Sequence, residues 1–416
     1  MSDRIVLHVD CNSFFASVSL LYKPWLQNKP VVVGGDEATR HGIVLAKNQV
    51  AKKYKIPTGA ALWQAKQLCP DLVVIPPDYE LYERFSKEIK ERIFADYTDL
   101  QESFGSDESW LDITGTAHLH RSATLLANEI RQRIKREMGI TVSVGHSWNK
   151  IFAKLGSDLK KPDGYVVIDK DNFKDTVWPL PVEEMLYVGP ATKRKLNNKG
   201  VYTLGELAQT EEQFLRDWFG KIGSYLWLYA NGEDSSPVGQ TEPPVKNVGN
   251  SSVVDHDVTS PEEVKQRMFG HAENVGRRMR EHGFIAKTMK YWICDNDMGD
   301  TESQCPMLTP SNLDVDLALA AFHHFQKTYR WAKPIRKIGI TATNLMLDNT
   351  PFQITLWRNA HQHEKRVELQ TAMDGINKRW PHSLKRGITM FPGFAAEENT
   401  KDLQRKFTPI GWLKGG

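Results

Sequence analysis

Between Arg4 and Lys161, short β-rich runs alternate with stretches of helical period, and only a sheet covered by helices buries both kinds of apolar face. The first run, RIVLHVD, ends at Asp10. A second, KPVVVGG, is closed by Gly34 and Gly35, with the helical pattern SFFASVSLLYKPWL between the two. From GIVLAKNQVAKKYKI to ALWQAKQLCP the period is helical again, broken by Pro57 and Gly59. DLVVIPP resumes a strand, YELYERFSKEIKERIFADY predicts one long amphipathic helix, and LQESFGSDESWLDITG holds strand on both sides of a turn. A helix, SATLLANEIRQRIKREMG, a strand, TVSVGHS, and a helix, NKIFAKLGSDLKK, follow. The segments around Asp10 and from Leu72 to Ile168 read as one α+β layer, with a small mixed subdomain inserted between them.

From about Phe173 to Asp234 the pattern is helical with short glycine turns, and GQTEPPVKNVGNSS is the best linker candidate. Beyond it KNVGNSSVVDHDV, AKTMKYWICDND and IRKIGITATNLML are strand-like and the segments between them helical, which predicts a separate α+β domain to about Leu347. A chain of 416 residues, 40% apolar and 25% charged, has the length for several folded domains. A formal net charge of +3 does not announce a nucleic-acid binder, so the local distribution of charge has to decide. MSDRIVLHVDCNSFF lacks the pattern of a signal peptide, and no apolar stretch approaches the roughly 20 residues of a membrane span, so a cytoplasmic protein is expected. Cys11, Cys69, Cys294 and Cys305 lie too far apart in sequence for a zinc motif or a disulfide framework, and the thirteen histidines are scattered.

The stretch SFGSDESWLDITG sets Asp107 and Glu108 side by side where a strand begins, and Asp10 closes the first strand. All three could project from one edge of one sheet. Magnesium prefers oxygen ligands and keeps substrate phosphates and waters in its shell, so few carboxylates suffice to hold it. Two such ions would activate an attacking hydroxyl and stabilise the leaving oxygen of an in-line phosphoryl displacement. The competing reading is a solvated acidic turn. Against it stand the CNSFF that follows Asp10 and the WNKIFAKLGSDLKKPDG that brings Lys150, Lys154, Lys160 and Lys161 to the same layer.

HVDCNSFFASVS, GSDESWLDIT, SVGHSWNKIFAKLGSDLKKPDG, LYVGPATKRKLNNKGVYTLGEL and KNVGNSSVV follow the order, and about the spacing, of motifs in the Y-family translesion DNA polymerases of the DNA polymerase IV type, which the chain resembles to about Leu347. The resemblance implies an α+β multidomain right-hand polymerase. Its palm would span 1–14 and 76–168, small fingers 15–75, a helical thumb with a helix-hairpin-helix motif 169–236, a linker 237–244, an α+β little finger 245–347 and a tail 348–416. It makes Asp10, Asp107 and Glu108 the ligands of two Mg2+ ions, with the Cys11 carbonyl as a further ligand. Phe15 becomes a steric gate that packs under the sugar and excludes a ribose 2′-hydroxyl; Phe14 fits a core aromatic better. The Ser13 and Phe14 amides would meet the triphosphate as helix N-termini meet anions, and Lys154 would reach it as well. Where the family commonly has a tyrosine and, three residues on, an arginine, this chain has Gln49 and Lys52; lysine keeps the charge without the bidentate fork.

In VGPATKRKLNNKGVYTLGEL the amides near Gly189 would bind a DNA phosphate, with Lys193, Arg194 and Lys195 adding charge, while a glycine there also serves simply to end a helix. WFGKIGSYLW, around Gly220 and Gly223, looks like a second copy. In the last domain Lys246, Arg277, Arg278, Arg280, Lys287, Lys290, Arg336 and Lys337 would lie along a duplex or be solvated. Gln353, Leu356 and Trp357 in NTPFQITLWRNAHQ resemble a sliding-clamp peptide, with a buried edge strand as the competing reading; the helix-like EKRVELQTAMDGINKRW would pack on the body or extend from it. The implied activity is low-fidelity, template-dependent addition of dNTPs to a primer 3′-hydroxyl by a monomer on primer-template DNA. Two other readings are a palm-type nucleotidyl cyclase, which needs no hairpin motif, and an inactive DNA-binding scaffold, which would not need the carboxylates.

Overall fold

The computed structural model describes residues 4–36, 42–120, 122–239, 245–351, 360–381 and 383–390, which fall into two compact units, one over 4–35 and 43–239 and one from 245 onward. The first unit begins β1 (Val6–Cys11), α1 (Phe14–Leu21), β2 (Val31–Gly34), β3 (Val44–Lys47), α2 (Gln49–Lys52), α3 (Leu62–Leu68), β4 (Val73–Ile75) and α4 (Tyr79–Lys87). It continues through β5 (Gln101–Phe104), β6 (Glu108–Asp112), α5 (Ala123–Met138), β7 (Val142–Ser147), α6 (Lys150–Leu159) and β8 (Tyr165–Val167). Helices α7 (Phe173–Val177), α8 (Pro190–Asn197), α9 (Leu204–Gln209), α10 (Glu212–Phe219) and α11 (Lys221–Ala230) complete it.

The central sheet has the order β5-β6-β1-β7-β8, with β1 antiparallel to both β6 and β7 and β8 parallel to β7. Strands flank β1 on both edges and α6 packs on it, so all six of its residues are buried; full burial of each of Val6, Leu7 and Val9 contributes about 1.5–3 kcal/mol. The helix approaches so closely at Gly145 of β7 that a Cβ there would lie 1.9 Å from the Ala153 carbonyl oxygen.

A three-stranded sheet, β3-β2-β4, lies under Leu62 and Ala65 of α3. Here the expected helix over GIVLAKNQVAKKYKI is corrected: Val44–Lys47 is a strand paired with β2, and only Gln49–Lys52 is helical. A ready strand partner overrides a local helical period. The long helix expected over YELYERFSKEIKERIFADY is likewise corrected, ending as α4 at Lys87 and continuing as a π-helical turn over Glu88–Ile93 and a 3-10 turn over Phe94–Asp96. Ile89, Ile93 and Phe94 remain buried across these turns, so the apolar face continues although the helix type changes. Helices α7 to α11 enclose Val177, Val182, Leu196, Leu204, Leu207, Leu215 and Leu226, and a reciprocal cap between Thr203 and Glu206 starts α9.

The second unit runs β9 (Asn247–Val258), α12 (Pro261–Glu281), β10 (Phe284–Asp295), β11 (Asp300–Ser311), α13 (Asp314–Thr328), β12 (Ile335–Leu347) and α14 (Ala360–Arg379). Its antiparallel sheet has the order β11-β10-β12-β9. Val264, Met268, Ala272, Val275 and Met279 form the buried stripe of α12. The expectation of only helix between β10 and β12 is corrected by β11, an edge strand whose inward residues, Cys305 and Met307 among them, alternate with exposed ones and which contains Pro306, so that its composition has low β-propensity. Helix α14 and the segment after it pack on the rest of this unit through charge: Asp374 of α14 pairs with Arg280 of α12, Arg366 of α14 with Asp316, and Arg386, beyond α14, with Asp314, which Arg280 also holds. The four cysteines are free, and among the described residues no helix is long and apolar enough to cross a membrane.

Candidate active site

Asp10 and Glu108 face each other as register partners in the β1–β6 ladder, and Asp107 sits in the adjoining turn, where its carbonyl accepts the Cys11 amide at 3.0 Å. The sheet thus brings together the three carboxylates that the sequence singles out. Burial raises Asp107 to about 7, with the charges of Asp10 and Glu108 adding to it. Asp10 is raised by burial and by Glu108, against the pull of Lys161 and Lys154.

Two lysines stand on this cluster. Lys154 Nζ lies 2.8 Å from Glu108 Oε2, 3.4 Å from Asp10 Oδ2 and 3.3 Å from Asp158 Oδ2. Lys161 Nζ lies 2.6 Å from Asp10 Oδ2 and 2.7 Å from Asp158 Oδ1. Burial opposes the charge of Lys154, but Glu108, Asp10 and Asp158 outweigh it and hold its pKa well above the usual lysine value. Sequence reasoning placed Lys161 in the layer but singled out only Lys154; Asp158 falls one turn after Lys154 on α6, and Lys161 follows just past the end of that helix. Behind the carboxylates, His8 is fully buried, its Nδ1 2.8 Å from Ser157 Oγ and its Nε2 3.3 Å from Glu108 Oε2.

Among the described residues no three His, Cys, Asp or Glu side chains stand ready to hold a metal ion as they are; the lysines occupy the carboxylates instead. The donor chemistry nevertheless fits a hard divalent cation. Its side-chain donors are all oxygen, the like charges repel one another, and Glu108 Oε2 is buried without a well-directed hydrogen bond.

Phe14 is buried, whereas Phe15, next on α1, is half-buried and stacks on Tyr82 with centroids 4.2 Å apart and 11° between planes. Tyr79 meets Phe15 edge-on at 6.0 Å, and the Tyr82 hydroxyl is fixed 2.7 Å from Ser19 Oγ. Ser13 caps α1 from a left-handed backbone position with φ of 52°, and Gln49 Nε2 reaches its hydroxyl at 3.5 Å. Burial lowers the ammonium of Lys52, Lys161 and Lys47 lower it further, and Asp10 opposes them, so Lys52 shares the electrostatic environment of Asp10.

Gly189 is the N-cap of α8; Lys193 on that helix is paired with Glu183 at 2.6 Å, while Arg194 and Lys195 are exposed. In the second hairpin Gly220 has φ of 64°, and a Cβ on Gly223 would meet the Leu215 carbonyl oxygen at 1.9 Å, which accounts for both glycines structurally. In the second unit Lys246 is exposed, Lys290 pairs with Glu302 across β10 and β11, Arg278 donates to the Gly249 carbonyl and Arg336 is half-buried on β12. Arg280 serves the α14 contact. Gln353, Leu356 and Trp357 lie outside the described residues.

Residues 9–158 match the impB/mucB/samB family and residues 245–356 match that family's C-terminal domain. The chain is 44% identical to the DNA polymerase IV of Acetivibrio thermocellus over 93% of its length and 98% of the relative's. It is 35% identical to the DNA polymerase IV 1 of Bacillus subtilis over 93% of each. A solved Y-family DNA polymerase chimera superposes with a TM-score of 0.72, covering 82% of this chain and 99% of its own at 24% identity, a likeness of fold. With both segments of the family matched and 93–98% of such relatives covered, the chain belongs to the impB/mucB/samB family, the Y-family polymerases of the DNA polymerase IV type.

Proposed function

We propose that this chain is a template-dependent DNA-directed DNA polymerase of the translesion kind, extending a primer 3′-hydroxyl with dNTPs opposite damaged or distorted template. The observation that carries the reading is the pairing of Asp10 with Glu108 across β1 and β6, with Asp107 in the turn beside them. Family membership and relatives named DNA polymerase IV support it. A scaffold without chemistry has no use for three carboxylates held together against their own repulsion.

Asp10, Asp107, Glu108 and the Cys11 carbonyl would hold two Mg2+ ions. When bound, such ions activate the attacking hydroxyl and stabilise the leaving oxygen of an in-line phosphoryl transfer. Lys154, Lys161 and Lys52 supply point charges to the triphosphate, the first two turning from the carboxylates they hold. The Ser13 and Phe14 amides open α1 toward the same group, and Phe15, backed by Tyr82, packs beneath the sugar. In this reading the palm is 1–14 with 76–168, the fingers 15–75, the thumb 169–236 and the little finger 245–347. DNA phosphates meet Gly189, Lys193 and Arg194 in the thumb and Lys246, Arg278, Lys290 and Arg336 in the little finger. The protein works as a cytoplasmic monomer, with a sliding clamp bound through Gln353, Leu356 and Trp357.

Primer extension with Mg2+ on undamaged and abasic templates tests the assignment. Extension that Asp107→Ala and Glu108→Ala abolish, with abasic bypass by the natural chain, is the expected result. DNA binding without extension would leave the scaffold reading in its place.

A further inference from the structure

The helix behind Phe15 also holds the acidic turn. Tyr82 stacks on Phe15 at 4.2 Å. One turn further along α4, Ser86 Oγ donates to the Ser106 carbonyl at 2.5 Å. On the π-helical turn that follows, Lys90 Nζ donates to the Gly105 carbonyl at 2.6 Å. Gly105 and Ser106 are the two residues before Asp107, and they lie between the end of β5 at Phe104 and the start of β6 at Glu108. Buried and half-buried carbonyls need a partner, and in this turn the partners are side chains of the helix rather than a strand.

Two further observations fit. Gly105 has φ of +79°, a conformation that L side chains rarely adopt, so the turn has little freedom to re-form otherwise. The π-helical turn over Glu88–Ile93 carries Lys90, and such turns occur mostly singly and often at functional sites. Neither Ser86 nor Lys90 belongs to any motif in the sequence.

We propose that Ser86 and Lys90 are positioning residues for Asp107: through the Ser106 and Gly105 carbonyls they fix the turn that delivers its carboxylate to Asp10 and Glu108. One helix then sets the sugar gate and the acidic turn in register with each other. The inference rests on the reading that these carboxylates hold divalent ions.

A countercharge role for Lys90 makes the opposite prediction, because removing a positive charge near carboxylates tightens cation binding. The test uses the full chain and Ser86→Ala, Lys90→Met and Asp107→Ala variants. Mn2+ binding is measured directly by electron paramagnetic resonance without DNA or nucleotide, and kcat and KM for dNTP by primer extension with Mg2+. Ser86→Ala and Lys90→Met are expected to weaken Mn2+ binding in the same direction, by about threefold or more, and to lower kcat about tenfold. KM and the thermal unfolding midpoint stay near those of the natural chain. Tighter Mn2+ binding by Lys90→Met with a silent Ser86→Ala, or unchanged kcat in both, overturns the proposal. Should Lys90→Met fail to fold, Ser86→Ala, which removes a single oxygen, decides alone. Asp107→Ala separates the two readings: Mn2+ binding by that variant equal to the natural chain's would overturn the metal assignment itself.

Discussion

Asp10 and Glu108 are opposite partners in the β1–β6 ladder, and a single lysine, Lys154, stands on both carboxylates at 3.4 and 2.8 Å. Like charges are held together here by the fold, and the lysine offsets part of their repulsion. An arrangement that costs stability without a ligand is expected where a cation or a triphosphate will enter.

Asp107→Asn is therefore expected to separate activity from stability. Extension falls by roughly 10³-fold, while unfolding measured in chelator shifts toward higher temperature, by about 1 kcal/mol or more, because one of three crowded charges is gone. Calorimetry in EDTA beside primer extension checks both. A variant less stable than the natural chain would mean that the Asp107 carboxylate supports the turn rather than straining it.

Phe15→Ala opens the space above Tyr82 and should relax sugar discrimination. The ratio of kcat/KM for dNTP over rNTP is expected to fall by about tenfold or more, within the roughly hundredfold that shape exclusion of one hydroxyl supplies. Unchanged rejection of ribonucleotides removes Phe15 from the gate.

At Lys52 the charge is present but the fork is absent. Lys52→Arg should lower KM for dNTP about threefold and Lys52→Ala should raise it about tenfold, with kcat less affected. Steady-state extension with each dNTP measures this, and equal KM values in all three proteins would take Lys52 out of the nucleotide contact.

Asp112 supplies a pH test away from the carboxylate cluster. Burial pushes its carboxyl up, but the Thr114 hydroxyl and Arg4 outweigh that and leave it below the usual carboxylate range. Its stabilisation is thus complete above the unfolded value of about 3.9 and is lost as pH falls through the lower folded value. Asp112→Asn should cost about 1 kcal/mol at pH 7, and the deficit should shrink on acidification below about pH 4. Urea midpoints across that range check it; a deficit independent of pH would assign the loss to packing.

The β1 strand was legible as a β-rich run up to Asp10, although the strand continues through Cys11 and is buried on both faces rather than alternating. The acidic pair was legible by its motif, but its geometry was not, since the Asp10–Glu108 pairing is a matter of register between distant strands. Strand β3 was missed because its partner β2 decides it, and β11 because Pro306 and the polar residues around Cys305 and Met307 mask its inward face. Ser86 and Lys90 were invisible for another reason: both bond to backbone carbonyls, and no residue type at 105 or 106 announces that its carbonyl is in demand.

The contact of α14 with the second unit bears on where this protein can be cut. The match to the family's C-terminal domain stops at residue 356, yet Asp314, 2% exposed, is shared between Arg280 and Arg386, and Arg280 also grips Asp374. A fragment ended at the family boundary would keep Asp314 and Arg280 and discard Asp374 and Arg386. It would carry part of its own ion network severed, as a new, charged and poorly satisfied surface, so the folded piece extends past the boundary of the family's C-terminal domain.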